Sequence, residues 1–172
     1  MGSKTRSASG LPNWREYVFV SQGSLLFGME LRSNPETLCA VRNALGELAR
    51  ALGFPQAECR RVVLAVDEAL TNIIRHAYQG RTDQPIKASF RRIQAAWHGA
   101  HRPALEIVLE DRGIAVDGKS LCGRELEDVR PGGLGLHFIK ESMDAVEFRR
   151  RWGRNQLRLV KFLHAGEPPK GQ

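Results

Sequence analysis

The chain has 172 residues, 42% hydrophobic and 26% charged, with a formal net charge of +7. This length suits one domain that buries a sheet against helices without metal or disulfide staples, and the three cysteines, Cys39, Cys59 and Cys122, lack the CxxC spacing of a structural zinc site. No apolar run approaches the roughly 20 residues that span a bilayer, and MGSKTRSASG has no export segment, so a cytoplasmic protein without a membrane partner is expected.

Residues 1–20 are polar and Gly/Ser-rich, then WREYVFV; they read as a loosely ordered segment leading into a short strand. The main domain is expected over 21–163, with GEPPKGQ at the end of the chain within a frayed tail, 164–172. In LLFGMELRS, Leu25, Phe27, Met29 and Leu31 alternate onto one face, as in a half-buried strand. Ser33 or Asn34 caps a helix with Pro35 in its first turn, its core stripe is Leu38, Val41, Leu45, Leu48 and Leu52, and Gly53 stops it.

A second helix is expected from about Gln56 to Tyr78, with Val62, Val66, Ala69, Ile73 and Ala77 as its core stripe. Gln79 to Pro85 is a loop, Pro85 to Arg92 a strand, AAWHGAHRP a turn, and Leu105, Ile107 and Leu109 alternate in a strand that ends at Asp111. From Gly113 to Gly132 no period is sustained, which predicts a loop or short-helical lid; Gly133 then opens a helix through about Met143. DAVEFRRRW and QLRLVKFL, joined around GRN, predict an antiparallel pair closing the sheet.

Glu68 and Asn72 fall outside the core stripe of the second helix. Four residues apart, they share a face about 6 Å apart along the axis, on a flank that a cleft can reach. A carboxamide there offers a neutral oxygen to magnesium, and an ionised carboxylate can accept a proton from a hydroxyl. Taken alone, each signal has a plainer reading: two polar residues on a solvated flank, a strand-end turn at Asp111–Gly113, and a glycine cluster at Gly132–Gly135 without the Lys and Ser/Thr of a P-loop.

In order, EALTN at Glu68 to Asn72, DRG at Asp111 to Gly113 and GGLGL at Gly132 to Leu136 resemble the N, G1 and G2 boxes of the GHKL ATP-binding superfamily. HAY after the first box and GLGLHFIKESMDAVEF after a short lid resemble the bacterial anti-sigma factor serine/threonine kinases of the RsbW-like and SpoIIAB-like family, over roughly Leu25 to Leu163. The resemblance implies an α+β Bergerat fold within the α/β class: a mixed, mostly antiparallel sheet covered by helices on one face. It implies ATP and Mg²⁺ as cofactors, Glu68 as general base, Asn72 as metal ligand and Asp111 as acceptor for the adenine amino group. Gly113 would let the backbone approach the base, and Ala115, Gly132, Gly133, Leu134, Gly135 and Leu136 would border the nucleotide. Arg75 and His76 lie one turn past Asn72; each either meets the nucleotide or plays a plainer part, Arg75 in solvent and His76 in pinning helix to lid. Two positions depart from the pattern: Ala115 stands where many relatives carry a second glycine, and His137 where an apolar or aromatic residue often follows GLGL.

The implied function is phosphorylation of a STAS-fold anti-anti-sigma protein and sequestration of a sigma factor by a homodimer. The alternatives are an ATP-binding regulatory module without productive transfer and a stand-alone ATPase. Basic residues gather in the first fifteen positions, at Arg91 and Arg92, and from Phe148 to Lys161. No recognition module accompanies them, so a solvated strand face is expected rather than a nucleic-acid surface.

Overall fold

A computed structural model describes residues 23–97, 100–115 and 134–163. Strands β1 (Gly23–Arg32), β2 (Pro85–Trp97), β3 (Ala100–Asp111), β4 (Ala145–Arg151) and β5 (Arg154–Phe162) form a sheet in the order β1-β2-β3-β5-β4. Every pairing among these strands is antiparallel. Helices α1 (Leu38–Ala51), α2 (Gln56–Asn72) and α3 (Leu134–Ser142) supply the apolar side chains that meet it. This is the antiparallel sheet under helices of a Bergerat fold.

Alternation explains the layering. Ile86, Ala88 and Phe90 of β2 join Leu105, Ile107 and Leu109 of β3 and Leu159 of β5 in one core with Val41 and Leu45 of α1, Val62, Val66 and Ala69 of α2, and Ile139 of α3. Phe27 of β1 stacks on Phe90 with ring centroids 4.3 Å apart, worth about 1 kcal/mol beyond its buried area. The opposite face carries a smaller cluster of Ile93, Ala95, Ala104, Ala145, Val160 and Phe162.

Several local expectations are corrected. Leu25 leaves the face of Phe27, Met29 and Leu31, because the register shifts between Leu25 and Phe27 and a bulge reverses the side-chain alternation; Leu25 is 58% exposed. Of the two expected caps, Ser33 or Asn34, it is Asn34 that serves: its Oδ1 accepts from the Glu36 N–H at 3.0 Å, but Pro35–Thr37 make a 3₁₀ turn ahead of α1 rather than its first turn. Ser33 is instead buried and pairs with Gln84 through both backbone and hydroxyl. The segment expected as a turn, AAWHGAHRP, is mostly strand, with Ala95↔Arg102 and Ala96↔His101 in register; His98 and Gly99 lie outside the described residues. Ala95 and Ala104 are small enough for the second cluster, and Pro103 lies just beyond the β3–β5 pairing, where its carbonyl accepts from Leu163 N–H at 2.9 Å. The β4–β5 turn is Trp152–Gly153, both at positive φ (49° and 73°), so the expected GRN turn begins one residue earlier and Asn155 belongs to β5.

The second helix does not run α-helical to Tyr78. After Asn72 it widens into a π turn, Ile73–Ala77, where Tyr78 N–H bonds the Ile73 carbonyl and Gly80 N–H the Ile74 carbonyl. The widening seats Tyr78, which is fully buried: its hydroxyl donates to the Pro85 carbonyl at 2.6 Å and accepts from the Arg112 N–H at 2.9 Å. Residues 1–22, 116–133 and 164–172, including the expected lid, Gly132 and Gly133, lie outside the described residues.

Candidate functional site

The C-terminal half of α2 and its π turn form the spine of the site. Their core stripe, Val62, Val66, Ala69, Ile73 and Ala77, is buried, which rotates Glu68 and Asn72 to a half-buried flank and leaves Arg75 and His76 exposed. Two segments distant in sequence meet this spine.

The first closes through α3. A Cβ built on Gly135 would lie 1.8 Å from Glu68 Oε1 and 2.5 Å from its Cδ, so the carboxylate rests where any other residue would place a side chain. Glu68 and the first turn of α3 therefore adjoin directly. Leu136 and His137 follow on α3, and His137 Nε2 faces Glu141 one turn on at 3.3 Å.

The second closes through the turn after β3. A Cβ on Gly113 would lie 2.4 Å from the carbonyl oxygen of Ala77, and that same carbonyl accepts the Ile114 N–H at 2.9 Å. The contact is with backbone, so glycine is required there for packing as well as for any ligand. Ala115, the next residue but one, is exposed.

Asp111, 5% exposed, ends β3 on the helix-facing side. Its Oδ1 accepts from Gly113 N–H and from Asn155 Nδ2, each at 2.7 Å, and among the described residues no hydrogen bond ends on Oδ2. Burial pushes the carboxyl above its ordinary range, opposed by the Asn155 and Gly113 hydrogen bonds and the positive charge of Arg150. Burial likewise raises the Tyr78 hydroxyl, which stays a neutral donor and acceptor at the base of the turn.

The structure thus brings Gly135 against Glu68 and Gly113 against Ala77, on one continuous helical run with Asn72, ties Asp111 to the Gly113 turn, and leaves Arg75, His76 and Ala115 exposed. Sequence reasoning missed Tyr78 as the hinge pin of the DRG turn, and Asn155 and Arg150 as partners of Asp111. The signal for Asn155 was cross-strand register: once Trp152–Gly153 is the turn, Asn155 falls opposite Asp111 on β3 and Arg150 on β4.

Such a site has a carboxylate and a carboxamide at one end, a buried acceptor at the other and glycines at both approaches. Among the described residues no group of three His, Cys, Asp or Glu side chains gathers as a metal cage.

Residues 31–161 match the family model described as the histidine kinase-like ATPase domain. The chain is 27% identical over 147 residues to the serine-protein kinase RsbW of Bacillus pumilus, covering 81% of this chain and 86% of that one. It is 29% identical over 133 residues to the RsbW of Oceanobacillus iheyensis, covering 73% and 79%. Among solved structures it resembles the RsbU and RsbW domains of a Mycobacterium tuberculosis protein, with a TM-score of 0.52 and 16% identity; the likeness covers 79% of this chain and only 32% of that longer one. The extent of the family match shows that the chain belongs to the histidine kinase-like ATPase domain family and is related to the RsbW serine-protein kinases.

Proposed function

We propose that this chain is an ATP-dependent serine/threonine kinase that phosphorylates a STAS-fold anti-anti-sigma protein and, with that partner absent, holds a sigma factor inactive. The single observation that carries the reading is the convergence on α2: Glu68 fills the space against Gly135, and Ala77 at the far end receives Gly113. The related RsbW proteins, named as serine-protein kinases, support the same reading.

The donor set fits Mg²⁺–ATP. The ATP-binding unit spans about residues 21–163, close to the 31–161 matched to the family. Oδ2 of Asp111 is the acceptor for the adenine amino group, and Gly113 removes the side chain that would crowd the base. Asn72 is the protein's oxygen ligand for magnesium, which supplies charge neutralisation across the phosphates. Arg75 and His76 flank the phosphate side, with Ala115, Gly132, Gly133, Leu134, Gly135 and Leu136 at the lid borders. Glu68 takes the proton from the partner's serine or threonine hydroxyl as that oxygen bonds the γ-phosphorus; the bond from the γ-phosphorus to the β–γ bridging oxygen breaks and ADP leaves. Positioning and electrostatics supply most of the rate.

The test is incubation of the full chain with γ-labelled ATP, Mg²⁺ and purified candidate STAS proteins. Label on a serine or threonine of one STAS protein is the expected result. ATP binding together with tight partner binding, but no labelled partner at any time, would replace the kinase by an ATP-dependent binding module.

A further inference from the structure

Asp111, Asn155 and Arg150 form one row across three adjacent strands. Asn155 is the register partner of Asp111 on β3 and of Arg150 on β4, so the three side chains stand side by side at the sheet end that carries the DRG turn. Asn155 is 1% exposed, and every polar atom of its amide has a partner. Its Nδ2 donates to Asp111 Oδ1 at 2.7 Å and to the Ile114 carbonyl at 3.0 Å, and its Oδ1 accepts from Arg150 Nη1. The same Nη1 also donates to the Gly113 carbonyl at 3.2 Å. The amide orientation is therefore dictated from both sides: reversing it would set Oδ1 against a carboxylate and a carbonyl, and Nδ2 against a guanidinium.

We infer that Arg150 and Asn155, on the β4–β5 hairpin, are positioning residues for the purine end of the site: they fill one oxygen of Asp111 and fasten both ends of its turn, so that the other oxygen alone is aimed at a 6-amino group. This rests on the proposed ATP reading. Arg150 acts through Asn155 and the Gly113 carbonyl and itself touches no ligand. It is an exposed side chain in the most basic stretch of the chain, where a solvated strand face was expected. Its neighbours there do have ordinary partners, Arg149 on Glu147 and Arg158 on Glu106. Arg150 differs in spending its donors on the DRG turn.

Two consequences separate this role from general stabilisation. Loosening the turn lets Asp111 rotate, which weakens the ligand that needs a fixed acceptor, ATP, more than one that offers a 6-oxo group, ITP. Because Arg150 is exposed, its loss leaves the core intact.

The experiment is calorimetric titration of the full chain and its Arg150→Met variant with Mg²⁺–ATP and Mg²⁺–ITP, beside thermal melts. Wild type is expected to prefer ATP, and the variant to bind ATP about 3- to 10-fold more weakly, the worth of one positioning hydrogen bond, with ITP little changed and the melt close to wild type. Asn155→Leu, which keeps the volume but removes the amide, is expected to narrow the ATP preference further. An unchanged ATP-to-ITP ratio in Arg150→Met, or equal weakening of both nucleotides, would overturn the inference while leaving Asp111 as the adenine acceptor. A wild type that binds no ATP, or binds ITP equally well, would overturn the ATP reading and the inference with it.

Discussion

Gly135 and Gly113 make closely similar approaches to the α2 spine, yet they have opposite expected phenotypes because of what each one meets. Against Gly135 lies the end of a flexible glutamate side chain, so Gly135→Ala can be absorbed by swinging Glu68 aside. The fold is expected to keep its stability within about 0.5 kcal/mol of wild type, while phosphoryl transfer falls by roughly 10-fold or more if Glu68 is the base and leaves its place. Against Gly113 lies the Ala77 carbonyl, which is backbone and already bonded to Ile114, so Gly113→Ala is expected to cost about 1–3 kcal/mol by denaturant titration. Asp111 is buried against its own solvation, and the proposed adenine contact gives that burial a use. Asp111→Asn keeps an oxygen for Gly113 and Asn155 but presents an N–H to the adenine amino group, so the variant should lose ATP stabilisation in a thermal shift while its unliganded fold is as stable as wild type or more so. The sign with pH follows: burial raises the carboxyl in the folded state, so its contribution favours the fold below the ordinary value of 3.8 and is lost as pH rises through the raised value. The melting gap between Asp111→Asn and wild type should widen over that interval, and a constant gap from acid to neutral pH would contradict it.

Lys161 adds a charged tie to the apolar contacts that seat helix α2. Lys161 of β5, 8% exposed, reaches Glu58 in the first turn of α2 at 3.0 Å and Asp144, just after α3, at 3.4 Å, while Asp144 Oδ2 accepts the Phe162 N–H. The end of α2 is held independently, by Tyr78 between Pro85 and Arg112. With both ends fixed, the Glu68–Asn72 flank has little freedom to slide against α3. Lys161→Met leaves the half-buried Glu58 carboxylate with Arg61 alone, at 3.3 Å, and is expected to cost about 1–3 kcal/mol, with Glu58→Gln in the same chain restoring part of it. Equal stability of Lys161→Met and wild type in urea would show that the ion pair is solvated rather than structural.

At the scale of the whole molecule, the period-2 and period-3.6 patterns placed the elements, because burial on one face leaves a plain trace in Leu, Ile, Val and Phe. The buried stripe from Val62 to Ala77 was legible on these grounds, and so was the flank carrying Glu68 and Asn72. Events of register were not legible: the bulge at Leu25, the continuation of β2 and β3 through alanines, and the π turn after Asn72 each depend on contacts between distant segments. Asn155 stayed hidden for the same reason, since asparagine beside glycine looks like a turn until the hairpin's register sets it opposite Asp111. The membrane expectation meets a compatible fact, that no helix among the described residues is long and apolar enough to cross a bilayer. A basic stretch that suggested a bare charged strand carries internal ion pairs at Arg149, Arg158 and Lys161. What joins these scales is a single claim, that the α2 flank is a phosphotransfer site with Glu68 as its base. Single-turnover transfer from Mg²⁺–ATP to the STAS partner, measured for wild type and Glu68→Gln alongside both proteins' ATP affinity, tests it most directly. The account predicts near-equal ATP binding with transfer reduced by about 10²-fold or more in the variant; transfer by Glu68→Gln at the wild-type rate would contradict it.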